Sequence, residues 1–292
     1  MKRVVSLLLS LVILSLAGVA AATELADVKA NGVLRHLGIP YANFVTGSGD
    51  GFEVELTQKF AEYLGVKYEY VKTDWGTVIQ DLTGKIVKPK GSDIDVLGEA
   101  PVKGDMVANG FTMLPWREKA VNFSVPTFPS QIWLIARADS KIRPIEPSHN
   151  IEKDIAATKA LINGHSVLAL EKTCLDPTLY NLGATGAKVI LAKRQLNEMA
   201  PALLKGDAEM TILDVPDALI ALQKWPGKLK IIGPISNKQQ MGAAFTKDTP
   251  QLQDAYNQFI AKVRKDGSYM KLVNKYYPTA HSYFPEFFKG MK

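Results

Sequence analysis

The sequence predicts an α/β fold, because short apolar strands alternate with amphipathic helices along most of the 292-residue chain. Residues 33–37 form the first apolar run, and residues 52–64 then carry apolar side chains at helical spacing. Gly65 ends that helix, and residues 66–70 alternate apolar and charged side chains as a half-buried strand does. Without a short N-terminal leader about 270 residues remain, which exceeds what one hydrophobic core usually supports. The sequence therefore predicts an α/β protein of two domains.

A second series of strands and helices is predicted to begin near residue 130. The predicted strands are residues 132–136, 166–170, 188–191 and 210–213, and the predicted helices are residues 196–205 and 216–224. Asp176 followed by Pro177 is typical of a helix start, with a capping residue before a proline at the first helical position. Near the C terminus, apolar stripes predict helices over residues 252–263 and 269–276.

The first residues are typical of an export signal. Lys2 and Arg3 precede an apolar run over residues 4–19, and alanines at 20–22 follow as a cleavage site. We expect residues 1–22 to be a cleaved signal peptide and the mature protein to lie in the periplasm. The alternative is an uncleaved membrane anchor, because the apolar run approaches the length that spans a bilayer.

Composition excludes several classes of function. The net charge of +6 is modest and its basic residues are dispersed, so nothing favours a nucleic-acid partner. The four histidines are scattered without metal-ligand spacing, and no nucleotide-binding loop or catalytic triad is evident, so we expect no metal and no cofactor. Cys174 is the only cysteine, which excludes an intrachain disulfide, and we expect a structural thiol.

The segment from residue 104 to residue 128 carries the strongest functional signal. A strand-like run ends at Asn109 and Gly110, and Arg117 follows beside Trp116. A guanidinium group is a planar fork that matches both oxygens of a carboxylate, so an arginine near apolar residues and backbone amides suits carboxylate binding. The alternative is an ordinary surface arginine in a loop.

Five segments in this order and spacing resemble the periplasmic solute-binding proteins of family 3, the amino-acid-binding components of ABC importers. The segments are GIPYANF at 38–44, DGFEVELTQKFAEYLGV at 50–66, GFTMLPWREKAVNFSVPTF at 110–128, LLKGDAEMTILDVPDALI at 203–220 and DGSYMKLVNKYYP at 266–278. The resemblance implies a two-lobed periplasmic-binding-protein fold of type II, with two hinge strands near 130–137 and 239–245. It divides the mature chain into lobe 1 at 23–132, lobe 2 at 133–240 and a return to lobe 1 at 241–292.

The resemblance also implies a ligand site between the lobes. Arg117 matches the arginine that clamps the ligand's α-carboxylate, and Asp214 matches the aspartate that accepts its α-ammonium. The other matched positions are the hydroxyl residues Thr112 and Thr173, the close backbone approach at Gly110, and the aromatic walls Tyr41 and Trp75. Alternatives stay open: Asp214 could cap the helix that starts near Pro216, the two threonines could be plain loop hydroxyls, and Tyr41 could be a core residue.

This chain departs from the family pattern at three places. Many relatives carry an acid where this chain has Gly38 and Ile39, which weakens the case for a basic amino acid as ligand. Lys172 stands where relatives have a small residue, and it would favour an acidic ligand group or be a solvated lysine. Residues 85–104, rich in Pro, Gly and Lys, lack a counterpart in compact relatives, and we expect an exposed excursion.

Together these features predict a monomeric extracytoplasmic binding protein. It would capture a small carboxylate ligand, an amino acid, by lobe closure and deliver it to an ABC permease in the inner membrane, without catalysis. One alternative is a periplasmic dehydratase-like enzyme on the same fold, with Asp214 or Glu171 as its acid. Another is a ligand-sensing subunit for a signalling receptor.

Overall fold

A computed structural model describes residues 24–193 and 195–291, and within them it shows two mixed sheets flanked by helices. The strands are β1 (Val33–Gly38), β2 (Lys67–Lys72), β3 (Lys85–Lys90), β4 (Asp93–Glu99), β5 (Met106–Val107), β6 (Asn122–Phe123), β7 (Phe128–Ser130), β8 (Ile132–Arg137), β9 (Ser166–Ala169), β10 (Lys188–Leu191), β11 (Met210–Asp214), β12 (Leu229–Pro234), β13 (Gln239–Met241) and β14 (Ala244–Phe245). The predicted α/β architecture is confirmed.

The helices lie between these strands and after the last of them. They are α1 (Leu25–Asn31), α2 (Phe52–Leu64), α3 (Val78–Thr83), α4 (Pro115–Ala120), α5 (Ile151–Ala160), α6 (Met199–Lys205), α7 (Val215–Lys224), α8 (Pro250–Lys265), α9 (Ser268–Tyr276), α10 (Ala280–Tyr283) and α11 (Pro285–Phe288). Short 3₁₀ helices span Pro177–Tyr180, Leu182–Thr185 and Leu196–Glu198. Among the helices described, none is both long and apolar enough to cross a membrane. The predicted signal peptide at 1–22 lies outside the described residues.

Each sheet draws on a different part of the chain. The first has the order β2-β1-β5-β14-β6, with β1 parallel to both of its neighbours and β14 antiparallel to both of its own. The second has the order β10-β9-β11-β8-β12, in which β9 is parallel to β10 and β11 while β8 is antiparallel to β11 and β12. The first sheet thus combines N-terminal strands with a single late strand, whereas the second is built from one uninterrupted stretch of chain.

Two short strands, β7 and β13, connect the sheets. They pair antiparallel, with Gln239 opposite Ser130 and Met241 opposite Phe128. Both connections between the sheets therefore run side by side, as the resemblance implies for a hinge. The exact division into lobes stays a prediction.

The C-terminal helices pack on the first sheet's side of the molecule. The ring of Phe128 lies 4.8 Å from that of Tyr277 and 5.5 Å from that of Phe52, centroid to centroid. Phe60 of α2 meets Tyr256 of α8 edge-on at 5.0 Å. Such aromatic packing buries large apolar areas, so it fixes the C-terminal return against the N-terminal segment.

Three local predictions need correction. Asp176 and Pro177 begin only a 3₁₀ turn, because Asn181 adopts the left-handed conformation (φ 53°) and ends it. The helix predicted at 196–205 starts as a 3₁₀ turn and becomes α-helical only at Met199. The excursion at 85–104 is exposed as predicted, but it folds as the β3–β4 hairpin with Gly91 at φ 62° in its turn.

Candidate functional site

Arg117 is buried at the start of the short helix α4. Pro115 occupies the first turn of that helix, and only 2% of Arg117 is exposed. Its Nη1 donates to the Thr112 carbonyl at 3.0 Å, and the guanidinium carbon lies 4.1 Å from the centre of the Phe111 ring. The backbone bond and the ring below therefore hold the guanidinium in place from two sides.

The charge of Arg117 is incompletely matched by the protein. Its Nε has no hydrogen-bond partner among the described residues, and no described carboxylate forms an ion pair with it. Burial lowers the pKa of Arg117 to about 10, so the group stays protonated at neutral pH. A buried cation without a counter-charge is unfavourable, so this environment suits an incoming anion.

Asp214 serves two structural purposes at the end of β11. As the N-cap residue of α7, it accepts the Asp217 N–H at 3.4 Å. It also accepts hydrogen bonds from the Tyr41 hydroxyl and from the Cys174 thiol, the latter at 3.4 Å. Burial raises the pKa of Asp214, while these hydrogen bonds oppose the rise. Because Tyr41 follows β1 and Asp214 ends β11, the Tyr41 bond joins the two halves of the molecule.

Cys174 lies between the two charged residues. Its thiol donates a hydrogen bond to Asp214 and contacts the Thr112 side chain. It also interacts electrostatically with Arg117. Burial, followed by the Asp214 charge, raises the pKa of Cys174 well above its usual value, so the group is a neutral thiol. The sequence predicts a structural thiol and does not predict that Cys174 lies in the candidate site. The only available signal is that it directly follows Thr173, a predicted site residue.

Tyr180 closes the same site from the second half of the molecule. Its hydroxyl donates to the Cys174 carbonyl at 2.5 Å and accepts from Gln239 of β13 at 3.5 Å. Arg117 is close enough to interact electrostatically with this hydroxyl. The sequence carries no signal for Tyr180, because the residue lies in the short 3₁₀ turn that was expected to be the start of a helix.

Trp75 and Tyr41 form an aromatic wall. Their rings meet edge-on at 5.5 Å, and Trp75 is parallel to Phe111 at 6.3 Å. Since Phe111 also lies under the Arg117 guanidinium, the wall continues to the charged group. Tyr41 is fully buried whereas Trp75 is half-buried.

Local packing and local hydrogen bonds explain why residue 110 is glycine and residue 173 is threonine. Gly110 has φ 58°, and a Cβ there would lie 2.4 Å from the Phe44 ring, so glycine is required by Phe44. The Thr173 hydroxyl donates to the Leu170 carbonyl at 2.8 Å and accepts the Leu175 N–H at 3.0 Å. The structure thus brings most of the predicted residues together, and it directs the Thr173 hydroxyl into its own loop.

Comparison with known proteins places this geometry in context. The family described as bacterial extracellular solute-binding proteins, family 3, matches residues 38–279. A membrane-bound lytic murein transglycosylase F of Desulfosudis oleivorans is 24% identical over 236 residues, which cover 80% of this chain and 45% of that protein. This chain spans about half the length of the curated relatives that it matches.

Two solved structures share the fold. A mutant of ArgBP from T. maritima has a TM-score of 0.68 at 24% identity, covering 87% of this chain and 99% of that one. The ancestral amino acid-binding protein AncCDT-1, a precursor of cyclohexadienyl dehydratase, has a TM-score of 0.66 at 22% identity, covering 87% and 98%. The fold predicted from the sequence is confirmed by these matches.

Proposed function

Because this chain belongs to family 3 of the bacterial extracellular solute-binding proteins, we propose that it captures a small carboxylate ligand, an amino acid, between its lobes. The observation that carries the proposal is Arg117, a buried and protonated guanidinium without a carboxylate partner among the described residues. A ligand carboxylate would provide the missing counter-charge in bidentate geometry.

The remaining site residues complete the proposed recognition. Asp214 would accept the ligand's ammonium, and Tyr41 and Trp75 would cover its apolar part. The backbone and side chains of Gly110, Thr112 and Thr173 would line the rest of the site. Since Arg117 follows β5 of the first sheet and Asp214 ends β11 of the second, a zwitterion bound to both would connect the lobes. Binding would therefore favour the closed state over the open one.

The proposed ligand is an amino acid without a basic side chain. The structural relatives support an amino acid, because AncCDT-1 is an amino acid-binding protein and another is an ancestral arginine-binding protein bound to arginine. Many relatives carry an acid where this chain has Gly38 and Ile39, and a Cβ at Gly38 would lie 2.4 Å from the Tyr70 ring. The Tyr70 ring thus occupies the space where an acidic side chain would begin, which argues against a cationic ligand side chain.

The cellular setting follows from the family. Its members are extracellular solute-binding proteins, and we propose that this chain works as a periplasmic monomer that delivers its ligand to an ABC permease. The lobes would be residues 23–132 with 241–292, and residues 133–240. No step of this function needs a cofactor or catalysis.

Replacement of Arg117 tests the carboxylate clamp. A thermal-shift screen of amino acids and small carboxylic acids identifies the ligand, because a ligand that binds only the folded state raises the melting temperature. Arg117→Ala should then weaken binding of that ligand by about 2–4 kcal/mol, and Arg117→Lys should also bind poorly because lysine lacks the fork. Arg143→Ala, which removes an exposed arginine, is the control and should bind like wild type. Unchanged affinity in Arg117→Ala would show that the clamp is wrong.

A dehydratase-like reaction on the same fold is the second candidate. The observation in its favour is the buried Asp214 carboxyl, whose pKa is raised by burial as a general acid requires. Incubation of the protein with prephenate and assay for phenylpyruvate distinguishes the two functions. We expect no product, whereas Asp214-dependent product formation would establish the enzyme.

A further inference from the structure

A groove lies between the β3–β4 hairpin and the loop that carries Lys172. It consists of two adjoining cavities of about 300 and 530 Å³. Both cavities are lined by Lys88 and Pro89 of the hairpin, by Trp116, and by Lys172 of the second half. Because the cavities share these four residues, we treat them as one feature, the hairpin groove.

The hairpin groove adjoins the site already described through two tryptophans. Trp116 forms part of its lining, and the centre of the Trp116 ring lies 5.3 Å from the Arg117 guanidinium carbon. Trp75 lines the inner cavity and contacts the Tyr41 ring in the site. Arg117 itself lines neither cavity, so the arm of a ligand whose carboxylate lies on Arg117 would have to pass these two tryptophans to enter the groove.

The inner cavity is largely apolar. Apart from the tryptophans, its lining includes Ile79 from α3 and Ile86, Val87 and Leu97 from the hairpin. Leu97 is 64% exposed, so it adds solvent-accessible apolar surface to this lining. An aliphatic or aromatic arm lying here would remove both its own apolar surface and that of the hairpin from water.

Two lysines from opposite walls, Lys88 and Lys172, supply the positive charge of the groove. Among the described residues neither Lys88 nor Lys172 forms an ion pair. Glu171 and Asp176 line only the outer cavity. The Asp176 carboxylate is engaged in its own loop, where it accepts the N–H groups of Lys172 and Thr178, each at 3.0 Å. The inner cavity therefore combines an apolar lining with two cations and no acid.

We propose that the hairpin groove is a second subsite, which holds an elongated apolar arm of the ligand that ends in an anionic group. The proposal rests on the proposed function for the head group, which Arg117 would bind. Lys88 and Lys172 would both approach the anionic end, one from the hairpin and one from the second lobe. An arm bound by both lysines would stabilise the closed state in addition to the head group. With this subsite, the proposed ligands include longer amino acids that carry a second, acidic group at the far end of the side chain.

The fluorescent sulfonate 8-anilinonaphthalene-1-sulfonate tests the groove independently of Arg117, because it carries an apolar aromatic body and one anionic group. We expect saturable energy transfer from tryptophan to this probe in the full chain. The double variant Lys88→Gln, Lys172→Gln should weaken the binding about tenfold. Lys85→Gln, which removes an exposed hairpin lysine outside the groove, should leave it unchanged. Binding that ignores Lys88 and Lys172 would overturn the subsite.

A second measurement uses matched ligands and separates the two proposals. By calorimetry, L-2-aminosuberate should bind at least about tenfold more tightly than its distal amide, and the double lysine variant should abolish this difference. Arg117→Ala should weaken both compounds equally. Failure of the proposed function would appear as absence of amino-acid binding while the lysine-dependent probe signal remains. Equal affinity of acid and amide in wild type would contradict the subsite alone.

Discussion

At the scale of single residues, the site depends on polar groups that the fold buries. The sequence singles out Arg117 through its neighbours and Asp214 through the family resemblance, and both assignments stay predictions. Cys174 and Tyr180 cannot be predicted, since their roles depend on a loop of the second half meeting α4 of the first. Contacts between distant segments leave no local pattern in the sequence. Side chains that contact each other across the two lobes therefore cannot be identified from the sequence alone.

Glu53 gives a prediction for stability against pH. Its side chain is fully buried, Oε1 accepts the Thr127 hydroxyl at 2.9 Å, and Oε2 has no partner among the described residues. Burial raises the pKa of Glu53 from 4.5 to about 7. Between these two values the folded state holds a proton that the unfolded state has lost, so this contribution to stability is present below pH 4.5 and is lost as the pH rises to about 7.

Denaturant unfolding at a series of pH values measures this effect. Wild type should lose up to about 3 kcal/mol between those limits from this group alone. Glu53→Gln keeps a neutral side chain of the same shape and should flatten that part of the profile. Glu118→Gln, which removes an exposed acid on α4, is the control. Parallel profiles for wild type and Glu53→Gln would contradict the assignment.

At the scale of secondary-structure elements, periodicity predicts the long helices well and the short elements poorly. The apolar stripes of α2, α8 and α9 coincide with their observed bounds, because one buried face over three or more turns leaves a clear pattern. The β3–β4 hairpin has no such pattern, since most of its strand residues are exposed or half-buried. Local composition shows that this segment is exposed, but the pairing of its strands depends on the turn at Gly91.

Two substitutions of Asp214, at the start of α7, distinguish the two possible roles of this residue. Asp214 is both the N-cap and the proposed ammonium acceptor, and asparagine caps a helix as well as aspartate does. Asp214→Asn should therefore stay within about 1 kcal/mol of wild-type stability while losing about 2 kcal/mol or more of amino-acid affinity. Asp214→Ala should lose the affinity and about 1 kcal/mol of stability as well.

The matched control for these variants is Asn150, which caps α5 by accepting the Lys153 N–H at 3.1 Å. Asn150→Ala should reduce stability by about 1 kcal/mol and leave affinity unchanged. Stability comes from thermal unfolding and affinity from calorimetry with the amino acid found in the screen. Wild-type affinity in Asp214→Asn would show that Asp214 acts only as a cap.

At the scale of the whole molecule, few polar contacts join the two halves within residues 24–193 and 195–291. The turn that contains Tyr41 contacts the second half at two points, through the Tyr41–Asp214 bond and through Asn197. The Asn197 side chain accepts the Ala42 N–H at 2.8 Å and donates to the Pro40 carbonyl at 3.4 Å. The order of segments in the sequence predicts two lobes and a hinge. The contacts of Tyr41 and Asn197 between the lobes, here called the latch, are identified only from the structure. A small number of contacts suits a protein whose lobes must separate to admit a ligand.

Loss of the Asn197 contacts should therefore shift the balance between open and closed forms. Asn197→Ala removes two hydrogen bonds at an exposed edge, with a net effect of about 1 kcal/mol, or about a fivefold smaller ratio of closed to open molecules. Small-angle scattering should show a larger radius of gyration without ligand and the wild-type value at saturation. The apparent affinity should fall by up to the same factor, because the ligand must restore the closed form.

Asn274→Ala, at an exposed position on α9, is the control and should change neither the radius of gyration nor the affinity. If Asn197→Ala matches wild type in both scattering and affinity, the latch does not control closure, and the Tyr41–Asp214 bond alone would join the lobes at this turn.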